Sequence, residues 1–159
     1  MRITSPVFSH DQPVPAKYTC KGPNVSPPLE FHDVPSQAKS LVLIVEDLDS
    51  LNNWIHWLVY NIPPQAGSLQ EGNLPEGAVD GVCNGGTHGY EGPCPKYFAG
   101  THHYRFMLYA LDIMLDIPYT ADSRVVLENM ENHILETAIL VGLADGDQVK
   151  VPQEEDSKQ

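Results

Sequence analysis

Four stretches carry most of the regular apolar patterning in this chain. SLVLIV (40–45) is almost entirely aliphatic, and NWIHWLVYNI (53–62) and HHYRFMLYALD (102–112) interleave aromatic, aliphatic and polar residues. HILETAILVGLA (133–144) alternates and then turns apolar. Each is rich in β-branched, aromatic or aliphatic side chains, which predicts a strand. The unbroken run LVLIV predicts a strand buried on both faces. Helical spacing is confined to ADSRVVLENMEN (121–132), where Val126, Leu127, Met130 and the following Ile134 repeat near one turn apart. Thr120 or Asp122 can cap its start, and Asn132 can take the left-handed conformation that ends it. Strands dominate and do not alternate with helices, so the predicted class is mainly β, an antiparallel sheet core with helix added late.

Period-two alternation sorts the side chains of these strands. Trp54, His56, Leu58 and Tyr60 fall on one face, and Ile55, Trp57 and Val59 on the other. His102, Tyr104, Phe106 and Leu108 share a face opposite His103, Arg105 and Met107. His102 and Tyr104 are therefore expected to point inward together and His103 away. LVLIV runs straight into EDLDS, placing Asp47 and Asp49 on one face just past a core strand. Singly, these residues are ordinary: strand histidines are commonly hydrogen-bonded core residues, and turn aspartates bond their own backbone. Only their convergence makes a site.

Composition narrows the function. A chain of 159 residues suits one domain, expected over 1–150, followed by an acidic tail over 151–159. Nine Lys plus Arg against 21 Asp plus Glu give a net charge of −12, and the cations are scattered, so nucleic acid is not an expected partner. No apolar run approaches the ~20 residues of a membrane span, and the first residues lack an apolar signal region, so a cytoplasmic rather than an integral membrane protein is expected. The 14 prolines sit mostly between the apolar runs and predict long ordered loops.

Cys20, Cys83 and Cys94 lack C-x-x-C spacing, which argues against a zinc knuckle; one disulfide, for example Cys83 with Cys94, is compatible. Adjacent rings at His102 and His103 point apart, and no H-x-H or H-E-x-x-H pair occurs, so neither metal nor cofactor is expected. Cys94 lies between two prolines, away from any helix N-terminus, and reads as a packing residue rather than a nucleophile. No G-x-S-x-G elbow or P-loop is present.

SPPLEF (26–31), VEDLDS followed by WIHWLVYNI (45–62), and GYEGPCP leading to GTHHYRFMLYALD (89–112) together resemble the phosphatidylethanolamine-binding protein family, in its prokaryotic Raf-kinase-inhibitor-like branch. The likeness runs from about residue 2 to about residue 144 in order. It implies a large central antiparallel sheet packed against a smaller one, with one or two helices near the C-terminus. It also implies a small pocket for phosphate or a phospholipid head group, a protein partner of the kinase or protease kind, and homodimerisation. By the family motif the pocket residues are Asp47, Asp49, His56, Gly92, Pro93, Pro95, His102 and Tyr104. Three segments depart from the pattern. The D-P-D-A-P turn reads Asp47-Leu48-Asp49-Ser50-Leu51, which predicts a more mobile rim. The asparagine–aspartate pair reads Cys83-Asn84, and the loop after Pro95 reads KYFAG.

An anion site in so acidic a protein must be local. Backbone N–H groups around Gly92, the Tyr104 hydroxyl, His56 and His102 are the candidate donors, each charge-assisted bond being worth roughly 1.5–3 kcal/mol away from water. Asp47 or Asp49 would orient a histidine ring. The prolines pre-set the loop, and Gly-Pro-Cys-Pro is a candidate for a cis X–Pro bond. A non-enzymatic binding protein is the favoured reading. The alternative is a small hydrolase or phosphotransferase using His56 and His102 with Asp47.

Overall fold

The computed structural model describes residues 1–149, and the expected tail over 151–159 lies outside the described residues. The elements run β1 (Arg2–Thr4), β2 (Gln12–Pro13), β3 (Leu29–His32), β4 (Ser40–Asp47), β5 (Ile55–Ile62), β6 (Ser68–Leu69), β7 (Val79–Asp80), β8 (Thr101–Leu111), α1 (Ser123–Met130) and β9 (Ile134–Asp145). The four apolar runs become β4, β5, β8 and β9. They form a six-stranded sheet in the order β2-β9-β8-β4-β5-β7, antiparallel except where β2 meets β9. A three-stranded antiparallel sheet, β1-β3-β6, packs on one of its faces.

β4 sits at the centre because nothing in LVLIV tolerates water. Leu41, Leu43 and Val45 face the small sheet and pack with Trp57, Phe106 and Leu108 against Leu29, Phe31 and Leu69. Val42 and Ile44 face the other way and meet Leu58, Leu115, Val126 and Met130. Both faces are covered, as a continuously aliphatic strand requires. The Asp122 side chain accepts the Val125 N–H at 3.1 Å and caps α1. The helix sends Val126 and Met130 into the core, each worth about 2 kcal/mol of burial, and leaves Leu127 exposed. It stops at Met130, and Asn132 at φ +69° turns the chain into β9, so Ile134 opens a strand rather than closing a helical stripe.

Two expectations are corrected. No described peptide bond is cis, so the Gly-Pro-Cys-Pro run holds its shape with trans prolines. The disulfide joins Cys20 to Cys94, not Cys83 to Cys94. Cys83 stays a buried free thiol whose Sγ lies 3.4 Å from the Gly89 carbonyl. Cys94 is therefore a cross-link rather than a packing residue, tying the segment around Cys20 to the loop before β8.

Candidate ligand-binding site

The ends of β4, β5 and β8 open onto a cleft of about 200 Å³ lined by Asp47, Trp54, His56, Cys94, Tyr97, Phe98 and Tyr104. Antiparallel register sets Asp47 opposite Tyr104, so both side chains leave the sheet on the same side. Asp47 is only 4% exposed. A buried carboxylate needs partners, and it has them: Oδ2 accepts from His102 Nδ1 at 2.7 Å and Oδ1 accepts from the Asp49 N–H at 2.9 Å. That bond occupies one nitrogen of His102, whose ring stacks on Phe98 at 3.8 Å between centroids. Burial, and then the neighbouring Asp47 carboxylate, push the Tyr104 hydroxyl far above its ordinary range, so it stays protonated and able to donate.

His56 reaches this group by a route that alternation does not predict. Strict period two puts it on the face of Leu58 and Tyr60, which pack toward α1. The β4–β5 register instead slips between Val45 and Glu46: Val45 faces Trp57 and Glu46 faces Ile55, leaving His56 as an extra residue. The bulge turns His56 to the other side, where its ring meets Tyr104 edge-on at 5.1 Å. Asn84 holds the bulge open, its Oδ1 accepting the Ile55 N–H and its own N–H donating to the Ile55 carbonyl. The His56 Nδ1 lies 2.6 Å from the Glu91 carbonyl, and since a carbonyl can only accept, Nδ1 carries a proton. Neutral His56 therefore keeps an acceptor at Nε2, and it offers an anion a donor only once protonated. Burial pushes its pKa down, more strongly than the Glu91 carbonyl and Asp47 push it up.

The sign of the resulting pH dependence follows from that depression. Above the unfolded value of about 6.5 the ring is neutral in both states and carries no penalty. As pH falls below it, the unfolded chain takes up a proton that the native protein resists, so native stability declines. Thermal melts of the ligand-free protein are expected to show Tm falling from pH ~7 to pH ~5.5 more steeply in wild type than in His56→Gln.

The loop 92–95 forms a wall, and its backbone is already committed. The Gly92 N–H donates to Asn24 Oδ1 at 2.9 Å, which removes it from the expected set of anion donors. The Pro93 carbonyl accepts the Cys20 N–H, and buried Pro95 starts a short 3-10 turn whose carbonyl accepts from Phe98 and Asp147. Lys96, Tyr97 and Phe98 of KYFAG follow at the mouth, with Tyr97 71% exposed. The segment just after β9 clasps this loop, the Gly146 N–H donating to the Gly100 carbonyl and the Gln148 N–H to the Phe98 carbonyl.

Asp49 separates from Asp47. It turns outward, where its Oδ2 accepts from the backbone N–H of His103 at 2.6 Å and from His103 Nδ1 at 2.8 Å. Partial burial pushes its carboxyl up, but the His103 bonds outweigh this and hold it below the usual range. His103 points away as expected and takes Asp49 with it. In the rim turn, which lacks the prolines of the family pattern, Ser50 bonds both ends. The Ser50 Oγ donates to the Asp47 carbonyl at 2.8 Å and accepts the Trp54 N–H at 2.7 Å. Trp54, Phe98 and Asn84 lie in stretches the sequence singled out but were given no role in the site, and Asn24, which carries no alternation or motif signal, was missed altogether.

A larger cleft of about 430 Å³ lies elsewhere, lined by Ser26, Trp57, Asn73, Asp80 and Tyr90 among others. Its one carboxylate is engaged by the Trp57 indole N–H at 2.9 Å. The smaller cleft is the better candidate because ionisable groups converge there.

The model of the phosphatidylethanolamine-binding protein family matches residues 4–145. A UPF0098 protein of Methanothermobacter thermautotrophicus is 46% identical, the match covering 90% of this chain and 97% of that one. A Mycobacterium tuberculosis protein named as a lipoprotein, LppC, is 39% identical, over 92% of this chain and 73% of its own. Among solved structures, a phosphatidylethanolamine-binding protein homologue of Chlamydia trachomatis superposes with a TM-score of 0.86 at 44% identity, over 92% of this chain and 97% of that one. Escherichia coli YbcL gives 0.84 at 27% identity, over 94% and 98%. With fold, motif order and matched span all in agreement, this chain belongs to the phosphatidylethanolamine-binding protein family.

Proposed function

We propose that this protein is a non-enzymatic binding protein whose cleft takes a small anion, a phosphate group or the phosphorylated head of a lipid. The observation that carries the reading is the pair of histidines beside Tyr104, each with Nδ1 committed to a protein acceptor and Nε2 left over. Both oxygens of Asp47 are engaged by His102 and the Asp49 N–H, so the groups left to meet an anion are the histidine Nε2 atoms and the Tyr104 hydroxyl. Tyr104 supplies a hydroxyl that burial keeps protonated. Leu51, Trp54 and Tyr97 stand exposed at the rim and give a kinase- or protease-type partner an apolar surface to meet.

The Asp47–His102 pair at 2.7 Å is the observation that favours an enzyme, since a carboxylate-held imidazole is general-base equipment. Neither Cys94, which lines the cleft, nor Cys83 suits a covalent route. Cys94 is oxidised, and burial, followed by Glu91 and Asp80, pushes the Cys83 thiol up to about 12. The test is calorimetry with inorganic phosphate and phosphoethanolamine. Binding is expected in wild type and lost in His56→Ala and His102→Ala; unchanged binding in both variants would sink the assignment. Histidine-dependent turnover in a phosphoester and ester screen would move the reading to the enzyme.

The absence of a long apolar helix among the described residues leaves the cytoplasmic reading standing, whereas a structural disulfide belongs to oxidising surroundings. Thiol trapping in cells decides: Cys20 and Cys94 recovered as free thiols would place the protein in the cytoplasm, and their recovery as a disulfide would place it outside.

A further inference from the structure

The larger cleft, of about 430 Å³, is built from parts of both sheets. Trp57 of β5 and Asp80 of β7 come from the large sheet, Asn73 and Leu74 from the loop after β6, and Val25 and Ser26 from the segment before β3. Its polar groups are only half committed. Asp80 Oδ1 accepts the Trp57 indole N–H at 2.9 Å, and Oδ2 has no partner among the described residues. The lysine and arginine ion pairs of the described residues are made elsewhere, with Glu71, Asp147, Glu46 and Glu128, so this carboxylate has no cation beside it. Ser26, 8% exposed, accepts the Gly72 N–H at 3.1 Å on Oγ, and its own proton meets no acceptor there. Among the described residues Asn73 is bonded only through its backbone N–H, to the Gln70 carbonyl at 3.2 Å, which leaves its amide free.

These groups select a ligand. An uncompensated carboxylate calls for a cation, in a protein whose charge of −12 already concentrates cations around it. With one oxygen left, Asp80 cannot take a guanidinium fork through two parallel bonds. It can take one N–H of an ammonium, whose other protons then reach the Asn73 Oδ1. A single carboxylate offers too little charge and too few oxygens for a divalent metal. Trp57 and Tyr90 cross edge-on, their centroids 5.3 Å apart at 85°, which makes a corner rather than the aromatic cage a quaternary ammonium needs. Val25 and Leu74 add apolar surface for a carbon stem. Asn73 and Leu74 also line an adjoining cleft of about 260 Å³, with Ser68, Gln70 and Pro75, so the stem has room to extend.

We propose that this cleft is a second ligand site, separate from the histidine cleft, and that it takes a small primary alkylamine as its ammonium ion. Asp80 Oδ2 and the Asn73 amide hold the ammonium, and the stem lies along Val25 and Leu74. The Ser26 hydroxyl is left as a donor to a polar group elsewhere on the ligand. The site is stiff before the ligand arrives: Trp57 is pinned by Asp80, and the Tyr90 hydroxyl donates to the Tyr18 carbonyl at 2.7 Å. Little side-chain freedom is then lost on binding. The inference does not depend on what the histidine cleft binds.

Fluorescence titration with n-butylammonium chloride at constant ionic strength tests it, on the full chain carrying Trp54→Phe so that Trp57 is the only tryptophan. A saturable change in Trp57 emission is expected, with butyrate giving none and butan-1-ol binding at least about tenfold more weakly. Asp80→Asn, which keeps an acceptor for the indole N–H, should lose at least about tenfold in affinity. Asn73→Asp, at an exposed position, adds a carboxylate and should strengthen binding severalfold, an effect that misfolding does not produce. A response that never saturates, equal affinity for the amine and the alcohol, or an affinity that Asp80→Asn and Asn73→Asp both leave unchanged overturns the proposal. So does amine binding that His102→Ala removes and Asp80→Asn spares, which would put the amine in the histidine cleft.

Discussion

Gly92→Ala is expected to cost about 3 kcal/mol of stability and to weaken phosphate binding, although it adds one methyl group to a loop. A Cβ there would stand 2.0 Å from the Tyr18 carbonyl oxygen and 2.5 Å from Asn24 Oδ1. The first is backbone and cannot swing aside. To admit the methyl, the wall 92–95 must part from the segment around Tyr18, breaking the Gly92–Asn24 and Cys20–Pro93 bonds. The Tyr90 hydroxyl bond to the Tyr18 carbonyl at 2.7 Å is strained with them. The same wall carries Cys94 into the cleft, which is why a stability variant should also lose ligand. Urea denaturation with calorimetry on the same preparations checks both effects; a variant with wild-type stability would show that the contact is not as close as described.

The second large effect concerns the disulfide along the same seam. Cys20 and Cys94 are separated by 74 positions. Closing a loop of that length restricts the unfolded chain by about 4 kcal/mol, which for a domain of this size corresponds to a Tm lower by roughly 10 °C when the bond is removed. Cys20→Ser with Cys94→Ser, or reduction of the wild-type protein, should show that shift. Cys83→Ala should cost far less, as the loss of one small buried side chain. Native wild-type protein should react negligibly with a thiol reagent, because burial, together with Glu91 and Asp80, drives Cys83 up to about 12. If Cys83→Ala matched the double variant, the cross-link assignment would be wrong.

What the chain discloses by itself depends on how local the cause is. β4, β5, β8 and β9 could be read directly, because continuous or alternating apolar runs have few other ways to hide from water. The inward aim of His102 and Tyr104, and the outward aim of His103, followed from β8 being unbulged along its middle. His56 did not follow, because its bulge exists only by virtue of Asn84, a residue from another loop that bonds both backbone groups of Ile55. Asp49 was drawn inward by the same alternation argument, yet β4 ends at Asp47 and the turn after it has no period of two. Pairing of Cys20 with Cys94 was hidden for a similar reason: it joins two irregular loops, and irregular loops leave no periodic trace in sequence. The resemblance pointed to the cleft's neighbourhood; the donors still free in it emerge only from seeing which are already spent.

The central claim is that His56 Nε2 becomes a hydrogen-bond donor to an anion. Sulfate is the most direct probe, because its own charge is constant from about pH 8 to about pH 5.5, the range in which histidine titrates. Calorimetric titration across that range, in buffers of different ionisation enthalpy, reads affinity and proton uptake together. The account predicts an affinity that rises by up to about tenfold per pH unit as pH falls, with proton uptake on binding that His56→Gln abolishes. Sulfate binding that is independent of pH, or proton uptake that survives in His56→Gln, would contradict it.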